Sequence, residues 1–327
     1  MANRDSGNRS LNKTWATLAI LVAVIVILST LALIFAIKIT LTEVVQLTIA
    51  GILSGGVYAV AAVGLALVFG VMRIINLAHG GMLILASYIT YWMFYLFGID
   101  PFLALLLTAP VMFLLGVVIE RVALEPVITS VEQPIIITFA ILLVIESVIS
   151  LLWASDVRGL LTSYSGLSIG IGPVALPVAQ MAVFSASVVS ILTIHFFLTR
   201  TYTGKSLLAT SQDPLMAETA GIDTRRAYRL AFGLGSAYAG IAGTLLAISY
   251  AFEPTAGFIY LFKAFAVVVL AGLGSLKTLL LAGILLGLAE VFGGFILGSS
   301  VKDAISFIVF VLVLLIRPSG LAGKSQF

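Results

Sequence analysis

The sequence is short of the residues on which most enzymes and soluble domains depend. Its 327 residues include no cysteine, two histidines and only 9% charged side chains. The lack of cysteine excludes disulfides, thiolate metal sites and cysteine nucleophiles. Soluble domains carry about 25% charged residues, and a content this much lower predicts an integral membrane protein. The net charge is only +3 and no basic patch is interleaved with aromatic residues, which argues against a nucleic-acid partner.

Signature sequences for nucleotide binding and for common catalytic sites are also missing. The chain has no Gly-x-x-x-x-Gly-Lys-Ser/Thr loop, no Gly-x-Gly-x-x-Gly stretch and no His-Glu-x-x-His pair. The two histidines, His79 and His195, are too few to build a metal site without many carboxylates nearby. We therefore expect no metal site, no cofactor and no enzymatic activity in this chain itself.

Long apolar runs take the place of these features. The sequence is 61% hydrophobic with a mean hydropathy of +1.22, and its apolar runs are near the length that a helix needs to cross the ~30 Å hydrocarbon core. The sequence therefore predicts an all-α integral membrane protein with about ten transmembrane helices. The predicted segments are 15–37, 43–70, 75–97, 101–119, 134–153, 177–199, 228–250, 258–273, 278–297 and 303–317.

Some of these helices are predicted to be short or broken. The eighth and the last segments are short, and glycine-rich stretches interrupt the second and the ninth. The glycines of the stretch Gly51 to Tyr88 permit close packing of helices and a break near Gly80–Gly81 in the third segment. We expect broken or strongly tilted helices at these places.

The N-terminus carries an additional apolar segment. Residues 1–14 form a polar tail, and the run Thr14 to Ile37 is free of charge for 24 residues. A cleaved signal peptide is the alternative, but its apolar region usually spans about 7–15 residues and ends at a small-residue cleavage site. The sequence Ile37-Lys38-Ile39 offers no such site, so 15–37 is predicted to be an uncleaved transmembrane helix.

Lysine and arginine are distributed unevenly between the two sides of the predicted membrane protein. With a cytoplasmic N-terminus, thirteen of them fall on the cytoplasmic side and only Lys38, Arg158 and Lys302 on the other, while Lys263 lies inside a span. Cytoplasmic loops of membrane proteins are enriched in these residues. Both termini and the loop 200–229 are therefore predicted to be cytoplasmic.

A short pattern occurs twice in the chain. Gly55-x-x-Tyr58-Ala59-x-x-Ala62-x-x-Leu65 recurs 180 residues later as Gly235-x-x-Tyr238-Ala239-x-x-Ala242-x-x-Leu245. The two copies lie five segments apart, so they have opposite orientations in the membrane. This predicts an inverted repeat of segments 2–5 and 7–10, as in many transporters. Chance is the alternative, because small residues are common in membrane helices.

The loop 200–229 is the most polar part of the chain. It holds 8 of the 31 charged residues between two apolar segments. Asp213 as N-cap, Pro214 at the first helical position and Gly221 as a stop predict a short helix over Leu215 to Ala220. A structured polar loop in an apolar chain indicates a contact with an aqueous partner. Three flanking arginines are interpreted as topology signals and not as contacts: Arg225, Arg226 and Arg229.

Several polar side chains fall inside the predicted membrane region. Asn76 and His79 lie three residues apart and can share one side of a helix turn. They either line a pathway or bond the backbone groups freed at a helix start. Charges at Glu146, Lys263 and Glu290 cost at least about 2.5–3.5 kcal/mol each when isolated in a membrane. They either orient a polar solute or neutralise one another, as Lys263 and Glu290 would by pairing.

The residues from 43 to 322 resemble the permease subunits of branched-chain amino acid ABC importers. The resemblance is carried by the stretch Gly64 to Gly81, which contains Arg73-Ile-Ile-Asn76-Leu-Ala-His79-Gly80, and by Gln212-Asp213-Pro214-x-x-Ala217-x-x-x-Gly221-Ile222. It continues at Lys263-Ala264-Phe265, Leu270-Ala271-Gly272-Leu273-Gly274-Ser275 and Arg317-Pro318-Ser319-Gly320-Leu321. The segment 15–37 has no counterpart in the family pattern.

This resemblance implies a permease subunit without an ATPase of its own, in a bacterial inner membrane. Its implied partners are a second permease, homologous or identical, two cytosolic subunits that bind ATP and Mg, and a periplasmic solute-binding protein. The helix with Ala217-x-x-x-Gly221 would be the coupling helix that docks on the ATPase, with Leu215, Met216 and Ala220 as its apolar anchors.

The solute implied by the resemblance is a branched-chain or related small amino acid. Relatives that transport urea or short-chain amides keep a second solute class open. An ion-coupled secondary transporter is the alternative from another class, supported by the repeat and Glu290. A membrane enzyme using Glu146 or Glu290 as acid or base lacks a second carboxylate at a recognisable spacing.

Overall fold

A computed structural model describes residues 39–128, 130, 132–272 and 278–316 of the chain. Three of the sequence predictions lie outside these residues. They are the N-terminal tail 1–14 with the helix 15–37, the stretch 273–275 of the family resemblance, and the C-terminal stretch 317–322.

Within the described residues the chain forms eleven α-helices and one β-hairpin. The helices are α1 (Leu41–Met72), α2 (Ala78–Phe97), α3 (Pro101–Ile119), α4 (Gln133–Trp153), α5 (Val178–Arg200), α6 (Tyr202–Gln212), α7 (Pro214–Thr219), α8 (Thr224–Ser249), α9 (Gly257–Ala271), α10 (Leu279–Leu297) and α11 (Lys302–Ile316). A π-helical turn, Glu120–Leu124, and short 3₁₀ turns, Glu125–Val127, Pro254–Ala256 and Ser299–Val301, extend or join them. The hairpin consists of β1 (Ser168–Ile171) and β2 (Val174–Pro177).

The predicted all-α membrane architecture is confirmed. Eight of the described helical stretches are long and apolar enough to cross a membrane. The nine predicted segments from residue 43 onward correspond to α1–α5 and α8–α11, and the last of them, α11, is short at 15 residues. Helices α6 and α7 belong to the polar loop between α5 and α8.

Local capping signals set the starts of these helices. Thr40 and Glu43 form a capping box at the start of α1, where each side chain bonds the backbone N–H of the other. At the start of α3 the carboxylate of Asp100 accepts from the backbone N–H of Phe102 at 2.8 Å, and Pro101 occupies the first helical position. The apolar runs therefore begin as helices at residues that the sequence itself marks.

The prediction of breaks in the second and ninth segments is wrong, because α1 and α10 are continuous helices. Their glycines instead let the two backbones touch. A Cβ atom on Gly55 would overlap the backbone of Ile284, and one on Gly283 would overlap the backbone of Gly55. Glycine in membrane helices commonly serves such close packing.

The prediction of a break at Gly80–Gly81 is also wrong, since α2 runs through both residues. Gly80 lies where α2 crosses α9, and a Cβ atom there would overlap the backbone of Gly257. The non-helical segment lies just before, at residues 73–77. It begins at Arg73, whose φ of 56° is the left-handed conformation that ends α1.

The helix contacts support the inverted repeat. In the predicted repeat, α1, α2, α3 and α4 correspond to α8, α9, α10 and α11. The contact of α1 with α10 then has its counterpart in the contact of α8 with α3. In the same way, the contacts α1–α9, α9–α10 and α9–α11 have their counterparts in α8–α2, α2–α3 and α2–α4. Helices α1 and α8 meet in the middle and run antiparallel, because Gly235 approaches Gly64 whereas Tyr250 bonds Ser54. Both are buried along most of their length and form the centre of the bundle.

The segment between α4 and α5 covers one end of the bundle. Arg158 and Phe252 exchange backbone hydrogen bonds of 2.8 Å, which attaches this segment to the connection between α8 and α9. Strands β1 and β2 pair antiparallel, with Ile171 opposite Val174. Because α8 runs from the polar loop to this connection, the covered end is opposite the end that carries α7.

Candidate functional site

The helix predicted in the polar loop is present as α7. The carboxylate of Asp213 accepts from the backbone N–H groups of Leu215 at 3.0 Å and Met216 at 3.1 Å, and Pro214 is the first helical residue. Gly221 follows the helix with a φ of +82°, a conformation that glycine adopts without strain. The sequence therefore predicted this helix, and the observed helix Pro214–Thr219 differs from the predicted Leu215 to Ala220 by one residue at each end.

Helix α7 turns its large apolar side chains outward. Leu215 is 66% exposed and Met216 61% exposed, and Ala220 is exposed as well. Ala217 is buried against the protein. A short capped helix with two neighbouring apolar side chains in solvent has the form of a helix that enters an apolar groove on another protein.

Short polar contacts hold α7 to the start of α8. The hydroxyl of Thr224 donates to the carboxylate of Glu218 at 2.5 Å. The backbone N–H of Ile222 donates to the carbonyl oxygen of Ala217 at 3.0 Å and closes the turn between the two helices. These contacts join α7 to the start of α8, which crosses the bundle.

The flanking arginines also make contacts within the chain, which their interpretation as topology signals does not describe. The guanidinium groups of Arg225 and Arg229 lie 3.8 Å and 3.7 Å from the carboxylate of Glu125, which follows the π-helical turn after α3. Arg226 pairs with Asp223 at 3.0 Å. Sequence reasoning missed Glu125, because this residue is distant in the chain and becomes a neighbour only through the packing of α3 on α8.

Asn76 and His79 are fully buried around the junction of α1 and α2. His79 Nε2 donates to the carbonyl oxygen of Ala61 at 2.8 Å, in the middle of α1. Within the described part of the chain, His79 Nδ1 and both polar atoms of the Asn76 amide have no hydrogen-bond partner. These two side chains therefore do not serve the freed backbone groups at the start of α2, which was one of the two interpretations of the pair.

Thr138 of α4 performs that backbone role, and sequence reasoning missed it. Its hydroxyl oxygen accepts from the backbone N–H of Leu77 at 3.2 Å and lies 3.3 Å from the carbonyl oxygen of Ile75. Buried backbone groups need such partners. A threonine in an apolar run carries no specific signal, so only the packing of α4 on α2 identifies it.

Glu146 of α4 lies beside the crossing of α2 and α9. A Cβ atom on Gly257 would lie 3.0 Å from its Oε1 atom. Among the described residues no hydrogen-bond partner meets Oε1. The structure therefore does not pair Glu146 with either of the other two intramembrane charges.

Lys263 and Glu290 form the ion pair that sequence analysis considered. Lys263 Nζ of α9 lies 3.0 Å from Glu290 Oε1 of α10 and 2.8 Å from Asp303 Oδ1 of α11. Lys263 and Glu290 are buried, whereas the side chain of Asp303 is 53% exposed. We call these three residues the ion-pair network. It neutralises the two charges that would be costly in a membrane.

Two hydroxyl groups complete the network. Tyr58 of α1 donates to Glu290 Oε2 at 2.6 Å, and Ser306 of α11 donates to Glu290 Oε1. Lys263 Nζ also lies 5.2 Å from the centre of the Tyr58 ring. The sequence marked Tyr58 only as part of the repeated pattern, and it did not mark Asp303 or Ser306.

Charged side chains in the described residues do not gather into a metal site. These residues contain no group of three or more histidine, cysteine, aspartate or glutamate side chains that could hold a metal ion. The ion-pair network has two carboxylates, but an ammonium group lies between them.

Comparison with known proteins identifies the family. A family model described as the permease component of the branched-chain amino acid transport system matches residues 47–314. That match covers more than half of the chain. The chain belongs to this family. The permease is thus a membrane protein of a transport system, as its helices and buried charges indicate.

Individual relatives match the permease over most of its length. The high-affinity branched-chain amino acid transport system permease protein BraD of Pseudomonas aeruginosa is 29% identical over 295 residues, covering 86% of this chain and 96% of BraD. The corresponding protein LivH of Escherichia coli K12 is 30% identical over 308 residues, covering 84% of this chain and 94% of LivH. LivM of Escherichia coli K12 is 38% identical over 85 residues, covering 25% of this chain and 20% of LivM.

Proposed function

We propose that the permease is the transmembrane subunit of an ATP-binding-cassette importer and that α7 docks on its ATPase. The observation that carries this proposal is the exposure of Leu215 and Met216 on a helix capped by Asp213. The contact between Glu218 and Thr224 would pass the movement of the docked helix to α8. ATP binding on the partner would then alternate access through the bundle.

The solute that best fits the permease is a branched-chain amino acid. This is the solute class in the printed names of BraD and LivH. The match to these proteins over most of the chain favours this solute over urea or short-chain amides, and favours the importer over an ion-coupled secondary transporter.

The proposed complex contains four kinds of subunit. The permease pairs with a second permease, and the partial similarity to LivM supports a homologous partner. Two cytosolic subunits bind ATP and Mg and dock on α7, and a solute-binding protein delivers the solute on the other side. The uneven distribution of lysine and arginine supports a bacterial inner-membrane location with both termini in the cytoplasm.

We assign the path through the bundle to three polar residues that the sequence predicted for it and that keep unpartnered atoms among the described residues. They are Asn76, His79 and Glu146. A path must bind a passing solute weakly and release it, which suits amides and ring nitrogens not engaged elsewhere. We assign Lys263 and Glu290 to the entrance of this path, where each neutralises the charge of the other.

A test of the docking role uses Met216→Asp, which places a charge on the exposed apolar face of α7. The variant should insert into the membrane but fail to copurify with the ATPase, and ATP-driven leucine uptake in proteoliposomes should be lost. Gly221→Pro, which disturbs the turn after α7, should have the same effect. Leu161→Asp is the control, since Leu161 is 81% exposed at the opposite end of the bundle.

Two results would contradict the proposal. Retention of both the ATPase and coupled uptake by Met216→Asp would exclude docking through α7. Gradient-driven uptake in liposomes by this chain alone, without ATP, would indicate a secondary transporter.

A further inference from the structure

A cavity of about 180 Å³ lies at the end of the bundle opposite α7. Its walls come from the segment after α4, from the connection between α8 and α9, and from the start of α11. The cavity is open to solvent, since Val157 is 66% exposed and the side chain of Asp303 53% exposed, and its volume is that of more than one water molecule. It is a space at the end of the bundle where the proposed importer receives its solute.

One side of the cavity is acidic. Glu253 and Asp303 both line it. The carboxylate of Asp303 is bound to Lys263 at 2.8 Å, and Lys263 is held from behind by the buried Glu290 at 3.0 Å. The carboxylate of Asp303 thus lies at the wall of the cavity, and the buried ammonium group of Lys263 lies behind it, outside the lining.

The other side of the cavity is apolar and aromatic. Phe252, Ile259 and Val157 line it together with Tyr260. Lys263 Nζ lies 5.5 Å from the centre of the Tyr260 ring, so the aromatic wall is continuous with the ion-pair network. Acidic, basic and apolar groups thus meet around one small space.

We propose that this cavity is the entry site for the solute and that it binds an α-amino acid as a zwitterion. The ammonium group of the solute is bound by Asp303 and Glu253, its carboxylate by Lys263, and its aliphatic side chain by Phe252 and Ile259. This assignment rests on the proposed function of the permease as an amino acid importer. It adds the binding groups and the reason for selecting the zwitterion.

Charge pairing explains why a zwitterion fits this place. A solute with one ammonium and one carboxylate group can enter the pair of Lys263 and Asp303 and give each of them a new partner of opposite sign. No buried charge is then left unpaired. An unpaired charge would be costly in a low-dielectric interior. Glu290 keeps Lys263 in position throughout, because the solute competes only for the bond with Asp303.

Neutral solutes lack this advantage. Urea and short-chain amides carry no charge with which to replace either member of the pair. They would either leave the pair of Lys263 and Asp303 intact or separate it without restoring the lost attraction. The cavity therefore selects amino acids over amides at the membrane, in addition to any selection by a binding protein.

The absence of cysteine allows a direct test. Ile259→Cys puts a thiol on the wall of the cavity in a chain that has no other. The permease–ATPase complex is purified without a binding protein and treated with a membrane-impermeant methanethiosulfonate reagent, with the unaltered complex as background. Leucine at about ten times its Kd should slow the labelling of Ile259→Cys about tenfold, because it occupies the site.

Two comparisons make the labelling specific. Leu161→Cys, which is highly exposed and does not line the cavity, should be labelled at the same rate with and without leucine. Urea should protect neither thiol. Protection of both thiols by leucine, protection of neither, or equal protection of Ile259→Cys by urea would overturn the assignment.

The role of the acidic wall is tested in the Ile259→Cys background. Adding Asp303→Asn keeps the size of the side chain and removes its charge, so the Kd of leucine obtained from the protection curve should rise about tenfold or more. Asp156→Asn removes a charge from an exposed residue just outside the lining and should leave the Kd unchanged. If Asp303→Asn prevents assembly, Glu253→Gln serves as the second variant.

The outcomes separate this inference from the proposed function. An unaltered complex that shows no ATP-driven uptake of branched-chain amino acids refutes the proposed function. Uptake by the unaltered complex, together with the same leucine Kd in the Asp303→Asn, Glu253→Gln and Asp156→Asn variants, refutes only the entry site.

Discussion

The ion-pair network and the buried pair Asn76–His79 are both polar groups inside an apolar bundle, but they are satisfied very differently. In the network, Lys263 meets two carboxylates and Glu290 also accepts two hydroxyl groups. Asn76 has no side-chain partner among the described residues, and His79 uses one ring nitrogen. The network therefore joins α9, α10, α11 and α1, whereas the pair contributes little to holding helices together.

The largest expected effect comes from removing one member of the network. Lys263→Met leaves Glu290 as a buried carboxylate without its cation, which costs about 3–5 kcal/mol in comparable buried pairs. The free energy of unfolding of the purified permease, measured by denaturant titration in detergent, should fall by this amount.

The double variant Lys263→Met/Glu290→Leu is the matched control for that loss. Removing both charges avoids the unpaired carboxylate, so most of the stability should return. If the double variant is as unstable as Lys263→Met alone, the stability at this place depends on the fit of the side chains and not on the pairing of their charges.

A smaller effect is expected from Tyr58→Phe, and the second half of the repeat supplies its control. Tyr58 donates to a charged carboxylate, and such a bond is worth about 1.5–3 kcal/mol. Its repeat counterpart, Tyr238, donates to the backbone carbonyl oxygen of Ser190 at 2.7 Å, a neutral bond worth about 0.5–1.5 kcal/mol. Thermal unfolding of both phenylalanine variants should show the larger loss for Tyr58→Phe, and equal losses would contradict the charge-assisted bond.

The smallest effect on stability is expected at Asn76. Asn76→Leu removes an amide that has no partner among the described residues, so the free energy of unfolding should change by less than about 1 kcal/mol. Leucine uptake should nevertheless be lost if Asn76 lines the path. Thr138→Val is the control, because it leaves the backbone N–H of Leu77 without its acceptor and should cost about 1–3 kcal/mol. Normal uptake by Asn76→Leu would exclude Asn76 from the path.

Features encoded by neighbouring residues were predictable from the sequence. Asp213, Pro214 and Gly221 lie at the two ends of one short helix, and they predicted α7 to within one residue at each end. The long apolar runs predicted a helix at each of nine places in the described residues, and eight of these are long and apolar enough to cross a membrane, where a helix must satisfy its own backbone. In each case the physical cause lies within a few positions of the feature.

Features created by packing were predicted poorly. The glycines of α1 and α10 suggested broken helices, but whether a glycine breaks a helix or admits another backbone depends on the helix opposite it. The pair of Lys263 and Glu290 was considered, since two unlike charges in one membrane must be neutralised. Asp303 was not, because its contact with Lys263 depends on how α11 lies against α9.

The contact between α1 and α10 has a mechanical consequence. Backbone meets backbone at Gly55 and Gly283, so a side chain of any size at either position would push the two helices apart. The spacing of α1 and α10, and with it the position of every group that they carry, is therefore set by two hydrogen atoms. Tyr58 of α1 reaches Glu290 of α10 only because the helices approach this closely.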